Sequence, residues 1–286
     1  VNVLTAVLVL GALALLLAML LAVAGRKLAV HEDQRLETLA EMLPGNNCGA
    51  CGYPGCRPFA QALIDGAAKP AECTVSSSGD KACVAAFLGI GVGEAVRRVA
   101  RLACAGGSNV ARMRALYVGE PTCAAAAEVS GGGKGCSWGC LGYGDCVASC
   151  EFDAIALDAH DLPVVESSRC TACGDCVDAC PKDLFSLEPI EHRLWVACKN
   201  EEKGDEVLAE CAVACTACER CAVDAPDTIM MVDNLPRIDH ARPEVRAAIE
   251  RCPTGAIVWI DADEHFRRGR DAASIVRQGA RRAGAS

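Results

Sequence analysis

Aromatic side chains are scarce in this sequence: five Phe, three Tyr and three Trp make only 4% of 286 residues, although apolar residues make 52%. A core with so few large rings must rest on Ala, Val and Leu together with something other than side chains. Small modules organised by inorganic centres fit that composition. Excess positive charge is missing too. The formal net charge is −9, which counts against nucleic-acid binding as the main task, since that work needs a basic footprint. No Gly-x-Gly-x-x-Gly dinucleotide fingerprint occurs. Charge of either sign is absent from residues 1–25.

The uncharged start is nearly all apolar from Val3 to Ala24, and Arg26 and Lys27 follow at once. A helix rising about 1.5 Å per residue could cross the roughly 30 Å hydrocarbon core over that length. The basic n-region and shorter apolar stretch of a cleaved signal peptide are not seen, so a spanning anchor is expected over residues 1–26. The run holds no ionisable residue and is a poor candidate for an ion path. Arg26 and Lys27 place the rest of the chain on the cytoplasmic side of the cytoplasmic membrane by the positive-inside rule, leaving a short external N-terminus. A helix is expected next, since Leu36, Leu39 and Leu43 recur at helical spacing before Pro44-Gly45.

Cysteine is the abundant residue, with 21 positions. Disulfides obey no rule that sets cysteines two or three residues apart again and again, whereas iron-sulfur ligation does. Cys48-x2-Cys51-x4-Cys56, with Cys73 further on, can enclose one [4Fe-4S] cubane, its glycines letting backbone N–H groups approach sulfide. Structural zinc with four thiolates is the rival for such a set. A second region pairs Cys136-x3-Cys140-x5-Cys146-x3-Cys150 with Cys170-x2-Cys173-x2-Cys176-x3-Cys180-Pro181, a two-cluster ferredoxin pattern with an expanded first half. In that pattern the fourth cysteine of each run serves the other cluster, which groups Cys136, Cys140, Cys146 and Cys180, and Cys150, Cys170, Cys173 and Cys176. The segments at Asp153–Leu157 and Leu162–Val165 read as short strands beside the loops.

The third region begins alike, with Cys215-x2-Cys218-x2-Cys221, but thiols are missing at Ala225, Arg242, Val245 and Ala248 while Cys252-Pro253 remains. Under the crossed rule these four losses belong to one cluster. One cubane on Cys215, Cys218, Cys221 and Cys252 is therefore expected, with Val245, Ala248 and Ile249 filling the other site. This accounts for four [4Fe-4S] clusters. Of the remaining Cys83, Cys104, Cys123, Cys198 and Cys211, buried apolar filling is the plain reading, and the nearness of Cys198 and Cys211 to a cluster loop leaves a fifth cluster open.

At this level the chain resembles the B subunit of the Rnf complex, the membrane-bound ferredoxin:NAD+ oxidoreductase coupled to sodium or proton translocation. The resemblance is carried by the apolar start, by Leu43-Pro-Gly-Asn-Asn-Cys-Gly-Ala-Cys-Gly-Tyr-Pro-Gly-Cys56, by Gly135-Cys-Ser-Trp-Gly-Cys-Leu-Gly-Tyr-Gly-Asp-Cys146 and by the run at Cys170. It implies an electron-transfer subunit that is not an enzyme by itself and exchanges electrons with soluble ferredoxin. Its implied contacts are membrane lipid, the membrane subunits and an NADH-handling subunit, with NAD and flavin bound by partners. Cys48, Cys51, Cys56 and Cys73 would hold the membrane-proximal cluster. The rivals are a membrane-tethered polyferredoxin of another oxidoreductase, such as a hydrogenase or quinone-linked complex, and a zinc or metal-storage protein.

The expected fold class is a membrane-anchored, multi-domain α+β protein with an N-terminal transmembrane helix, a small four-cysteine Fe-S domain and ferredoxin-like modules. Its parts are the anchor (1–26), the four-cysteine domain with its lead-in helix (27–81) and an intermediate segment (82–133) with helical periodicity around Val92, Val96 and Val99. A two-cluster ferredoxin-like module (134–190), a degenerate module with one cluster (191–262) and a basic, partly helical tail (263–286) complete it.

Overall fold

The computed structural model describes residues 2–27 and 33–275. Helix α1 (Val3–Lys27) follows from its unbroken run of Ala, Leu and Val, and over 25 residues it reaches roughly 37 Å. Its stretch Val7–Gly25 has a mean hydropathy of 3.0, and none of it is buried against the rest of the chain. Leu15 and Met19 stand 75% and 71% exposed. The helix is long and apolar enough to span a membrane, and it gains nothing from packing on its own protein.

Helix α2 (Gln34–Met42) starts where the Asp33 side chain accepts from the Arg35 amide, and it buries Leu36 and Leu39. Helix α3 (Cys56–Ile64) brings Phe59 and Leu63 against them. Helix α4 (Ser78–Leu88) opens with a reciprocal cap between Ser77 and Asp80, ends at Gly89 in the left-handed region, and adds Val84 to this first core.

The helical periodicity expected around Val92, Val96 and Val99 is not realised. Gly89 and Gly93 take positive φ, Val92 and Val96 lie in irregular chain, and Val99 belongs to strand β1 (Arg98–Leu102). A long-range partner overrides the local pattern: β1 runs antiparallel to the later strand β4, from Arg98 opposite Pro189 to Leu102 opposite Phe185. The intermediate segment is thereby stitched into the two-cluster module. Its short helix α5 (Cys123–Glu128) starts on Thr122 and is pinned by Asp145, whose carboxylate accepts from the amides of Cys123 and Ala124.

The two-cluster module has near twofold repetition. Helices α6 (Asp145–Ala148) and α7 (Asp175–Asp178) each follow a glycine of positive φ, Gly144 and Gly174. Strands β2 (Ile155–Leu157) and β3 (Pro163–Val165) lie where short strands were expected and pair with each other as an antiparallel hairpin, and β4 (Phe185–Pro189) closes the second half. Ala100, Ile155 and Phe185 make the apolar floor beneath the thiols.

In the last module β5 (Leu194–Val196) pairs with a distant strand, helix α8 (Arg220–Asp224) follows the Cys215 loop, and β6 (Ile229–Val232) and β7 (Leu235–Ile238) form a hairpin. Its turn is Asp233-Asn234, both at positive φ, which suits the twist of a two-residue hairpin. Helix α9 (Ala247–Glu250) precedes β8 (Ile257–Ile260), and β9 (Phe266–Arg268) joins to give the sheet order β5-β8-β9. Arg267 and Arg268, at the start of the expected tail, are thus in a strand. Residues 276–286 of that tail lie outside the described residues.

Candidate metal centres

Local backbone form explains how the cysteines converge. Gly49 and Gly52 take positive φ in the first loop, and Ala172 and Ala217 do the same at φ 56° and 54°. These two alanines occupy equal places in the repeated Cys-Thr-Ala-Cys of the second and third regions. An L-residue held in that conformation costs about 1–2 kcal/mol, so the loops are shaped by what they enclose.

Twenty of the 21 cysteines fall into five groups of four. Cys48, Cys51, Cys56 and Cys73 line one cavity beside Phe59. Cys150, Cys170, Cys173 and Cys176 line a second, with Cys150 crossing from the first half as the ferredoxin pattern requires. The third cavity gathers Cys140, Cys146 and Cys180, and its fourth thiol is Cys123 instead of Cys136. Cys136 turns to a different cavity with Cys104, Cys198 and Cys211. Cys215, Cys218, Cys221 and Cys252 make the fifth group, Cys218 and Cys252 lying near enough for their charge to act on both Cys215 and Cys221, with Cys221 and Cys252 packed against Leu194 and Ile249. Cys83 alone stands apart, exposed on α4.

The exchange of Cys136 for Cys123 has a structural cause. The chain at Lys134 bridges to Met113, and the Gly135 amide donates to the Arg112 carbonyl, which draws Cys136 toward the loop bearing Cys104. The Asp145 cap meanwhile holds Cys123 over Cys146. Sequence reasoning left a fifth cluster open at Cys198 and Cys211 and read Cys104 and Cys123 as apolar filling, since neither of these two sits in a short cysteine repeat. The approach of Cys104 and Cys211 leaves little room at Gly106, where a Cβ would stand 3.1 Å from the Cys211 Sγ and 3.6 Å from the Cys104 Sγ. Filling of the vacated position in the last module also differs in part: Ala225, Ala248 and Ile249 are buried together, whereas Val245 is 39% exposed.

The groups suit a polynuclear centre better than a single ion. Zn–S bonds of about 2.3 Å put tetrahedral thiolates roughly 3.8 Å apart. Among the described residues, no three cysteine sulfurs lie within 4.8 Å of one another. Thiolate-only donors around a wider opening are the ligand set of a [4Fe-4S] cubane. Backbone donors point at the sulfurs as well: Ala154 N to Cys150 at 3.3 Å, Leu184 N to Cys180 at 3.5 Å, Ala100 N to Cys170 at 3.5 Å and Asn200 N to Cys198 at 3.5 Å. Burial pushes the thiols of Cys140, Cys146, Cys176, Cys198 and Cys221 up to about 12 and that of Cys211 to about 11. Bare thiolates are therefore disfavoured, and metal ligation would release the thiol protons to solvent, the charge of the metal replacing theirs.

Four groups form a row. Cys146 and Cys176 share one apolar core between the two centres of the ferredoxin-like module. The Cys140 amide donates to Cys104 Sγ at 3.4 Å, joining the third group to the Cys104 group. The Cys215 amide donates to Cys198 Sγ at 3.3 Å, joining the Cys104 group to the last.

One further cluster of metal-binding side chains, Glu188, His192 and His240, is better read as an ion-pair network. The two imidazoles stack at 3.7 Å with planes 2° apart, so in-plane lone pairs run parallel and do not converge. Glu244 anchors the network, accepting from the amides of Arg193 and Leu194 and contacting His240 Nδ1 at 2.6 Å.

Thiol quartets on ferredoxin-like loops, behind a helix of membrane-spanning length, define an iron-sulfur electron-transfer protein. Two family models match, "Putative Fe-S cluster" over residues 43–75 and "4Fe-4S dicluster domain" over residues 135–184. The B subunit of the Na+-translocating ferredoxin:NAD+ oxidoreductase complex of Acetobacterium woodii is 37% identical over 87% of this chain and 75% of its own. The B subunit of an ion-translocating oxidoreductase complex from Methanosarcina acetivorans is 33% identical over 87% and 95%. Its counterpart in the proton-translocating ferredoxin:NAD+ oxidoreductase complex of Clostridium ljungdahlii is 33% identical over 85% and 87%. The chain belongs to this family of Rnf-type B subunits.

Proposed function

We propose that this chain carries single electrons between soluble ferredoxin and a membrane-bound ferredoxin:NAD+ oxidoreductase, whose other subunits bind NAD and flavin and move sodium or protons. The reading is supported above all by the unbroken row from the Cys150 group to the Cys252 group. Five cysteine groups would hold five [4Fe-4S] clusters, one more than the sixteen cysteines of the regular motifs supply. A bound cluster supplies one-electron exchange without a general acid, base or nucleophile. The protein fixes the spacing of the groups, keeps Cys146, Cys176, Cys211, Cys221 and Cys252 dry, and aims amide donors at the sulfurs. Each such donor favours the more negative, reduced form.

Helix α1 would anchor the chain in the cytoplasmic membrane, with Arg26 and Lys27 and all the cysteine groups on the cytoplasmic face. Protease added to sealed right-side-out vesicles should leave the cysteine-rich region whole, and its digestion from outside would reject this topology. Electron flow is tested by Cys173→Ser in the assembled complex. Ferredoxin-dependent NAD+ reduction should slow at least tenfold together with the loss of about four irons. Unchanged turnover with that cluster lost would take the module out of the path.

A further inference from the structure

Lys134 lies in the glycine-rich run Gly131-Gly-Gly-Lys-Gly-Cys136, and nothing in a ferredoxin motif calls for it. Its backbone is held by the bridge to Met113. Its side chain folds back over Gly139, where a Cβ would stand 3.1 Å from the lysine Cε. The ammonium then donates to the Gly106 carbonyl at 2.5 Å and to the Cys140 carbonyl. Gly106 follows Cys104 by two residues, and Cys140 belongs to the neighbouring group. One cation is thus pinned between two thiol quartets, at the crossing where the Cys140 amide reaches Cys104 Sγ. It lines the cavity of the Cys104 group, and the ion pairs among the described residues give it no carboxylate partner. Its charge acts on Cys136, Cys140 and Cys211, which come from both groups.

We propose that Lys134 raises the electron affinity of the two centres it separates, the Cys104 group and the Cys123 group. This rests on the five-cluster reading. Four thiolates around a cubane leave a net negative centre that gains a further negative charge on reduction. A fixed ammonium between two such centres therefore favours the reduced form of each. Two neutral carbonyls hold the nitrogen in place without cancelling its charge. An acidic partner at that position would have screened it.

The test is an EPR-monitored redox titration of the full-length protein, purified without oxygen in detergent, alongside Lys134→Gln and Lys134→Arg. Gln keeps an amide donor for the carbonyls and removes the charge, and Arg keeps the charge. The expected result is that Gln moves two of the transitions to more negative potential, lowering the reduced-to-oxidised ratio at least tenfold, about 59 mV for one electron. Iron content should stay unchanged, and Arg should keep both transitions within a third of that shift. Unmoved transitions at full iron would overturn the proposal. Loss of iron in Lys134→Gln would also overturn it, since the lysine would then be a structural support. A wild-type protein holding about sixteen irons instead of about twenty would instead remove the five-cluster reading beneath it, and that is visible before any variant is made.

Discussion

Single residues in this protein act mainly by holding backbone close to sulfur. Gly55 is a clear case: its φ is 127°, and a Cβ there would stand 2.9 Å from Asn47 Oδ1. That oxygen accepts from the Cys56 amide at 2.8 Å and ties the two ends of the first cysteine loop. Gly55→Ala should break this tie and lower the iron content by about four per chain, the loss of one cubane. Retention of full iron would show that the loop closes without it. Glu244 has a comparable role in the last module. Burial pushes its carboxyl up, but hydrogen bonds from His240 and from the Leu194 and Arg193 amides more than offset this, and the net direction is down. The carboxylate accordingly stabilises the fold above the ordinary carboxyl range, and that contribution is lost as pH falls through its depressed value. Glu244→Ala leaves two amides without an acceptor, at a cost of about 2 kcal/mol. Faster hydrogen exchange at Arg193 and Leu194 near neutral pH is the expected outcome, and unchanged exchange would contradict it.

At the level of elements, local patterns were legible and long-range pairings were not. The α2 helix, strands β2 and β3 and the ligand loops were readable because leucine spacing, short apolar segments and cysteine spacing are written within a few residues of one another. The joint absence of thiols at Ala225, Arg242, Val245 and Ala248 likewise pointed to a packed apolar site, and Ala225, Ala248 and Ile249 are buried together there. The β1–β4 pairing joins segments almost ninety residues apart, and nothing near Val99 announces it. Cys198 and Cys211 stood open for a fifth cluster, but their grouping with Cys104 and Cys136 was unreadable for the same reason: these residues come from separate stretches of the chain. These pairings also decide what can be excised. Strand β5 pairs with β8, and the Cys198 thiol accepts from Cys215. A fragment of residues 191–275 should therefore retain about four irons after reconstitution, while residues 205–262, which lack β5 and Cys198, should retain less than half of that. Equal retention by both would mean that the last loop folds around its thiols alone.

Across the whole molecule, an exposed apolar helix long enough to span a membrane is set apart from the acidic, cysteine-rich remainder that carries electron transfer. The intermediate segment joins the ferredoxin-like modules, since it contributes β1 to one and Cys104 to the group that bridges them. Without that bridging group the last quartet would be cut off from the row. The most direct measurement is therefore iron and acid-labile sulfide content in the anaerobically purified full-length protein, compared with Cys104→Ser and Cys83→Ser. About twenty irons in the wild type and in Cys83→Ser, and about sixteen in Cys104→Ser, is the expected result. About sixteen in all three would contradict a fifth cluster on Cys104, Cys136, Cys198 and Cys211, and with it the continuous row.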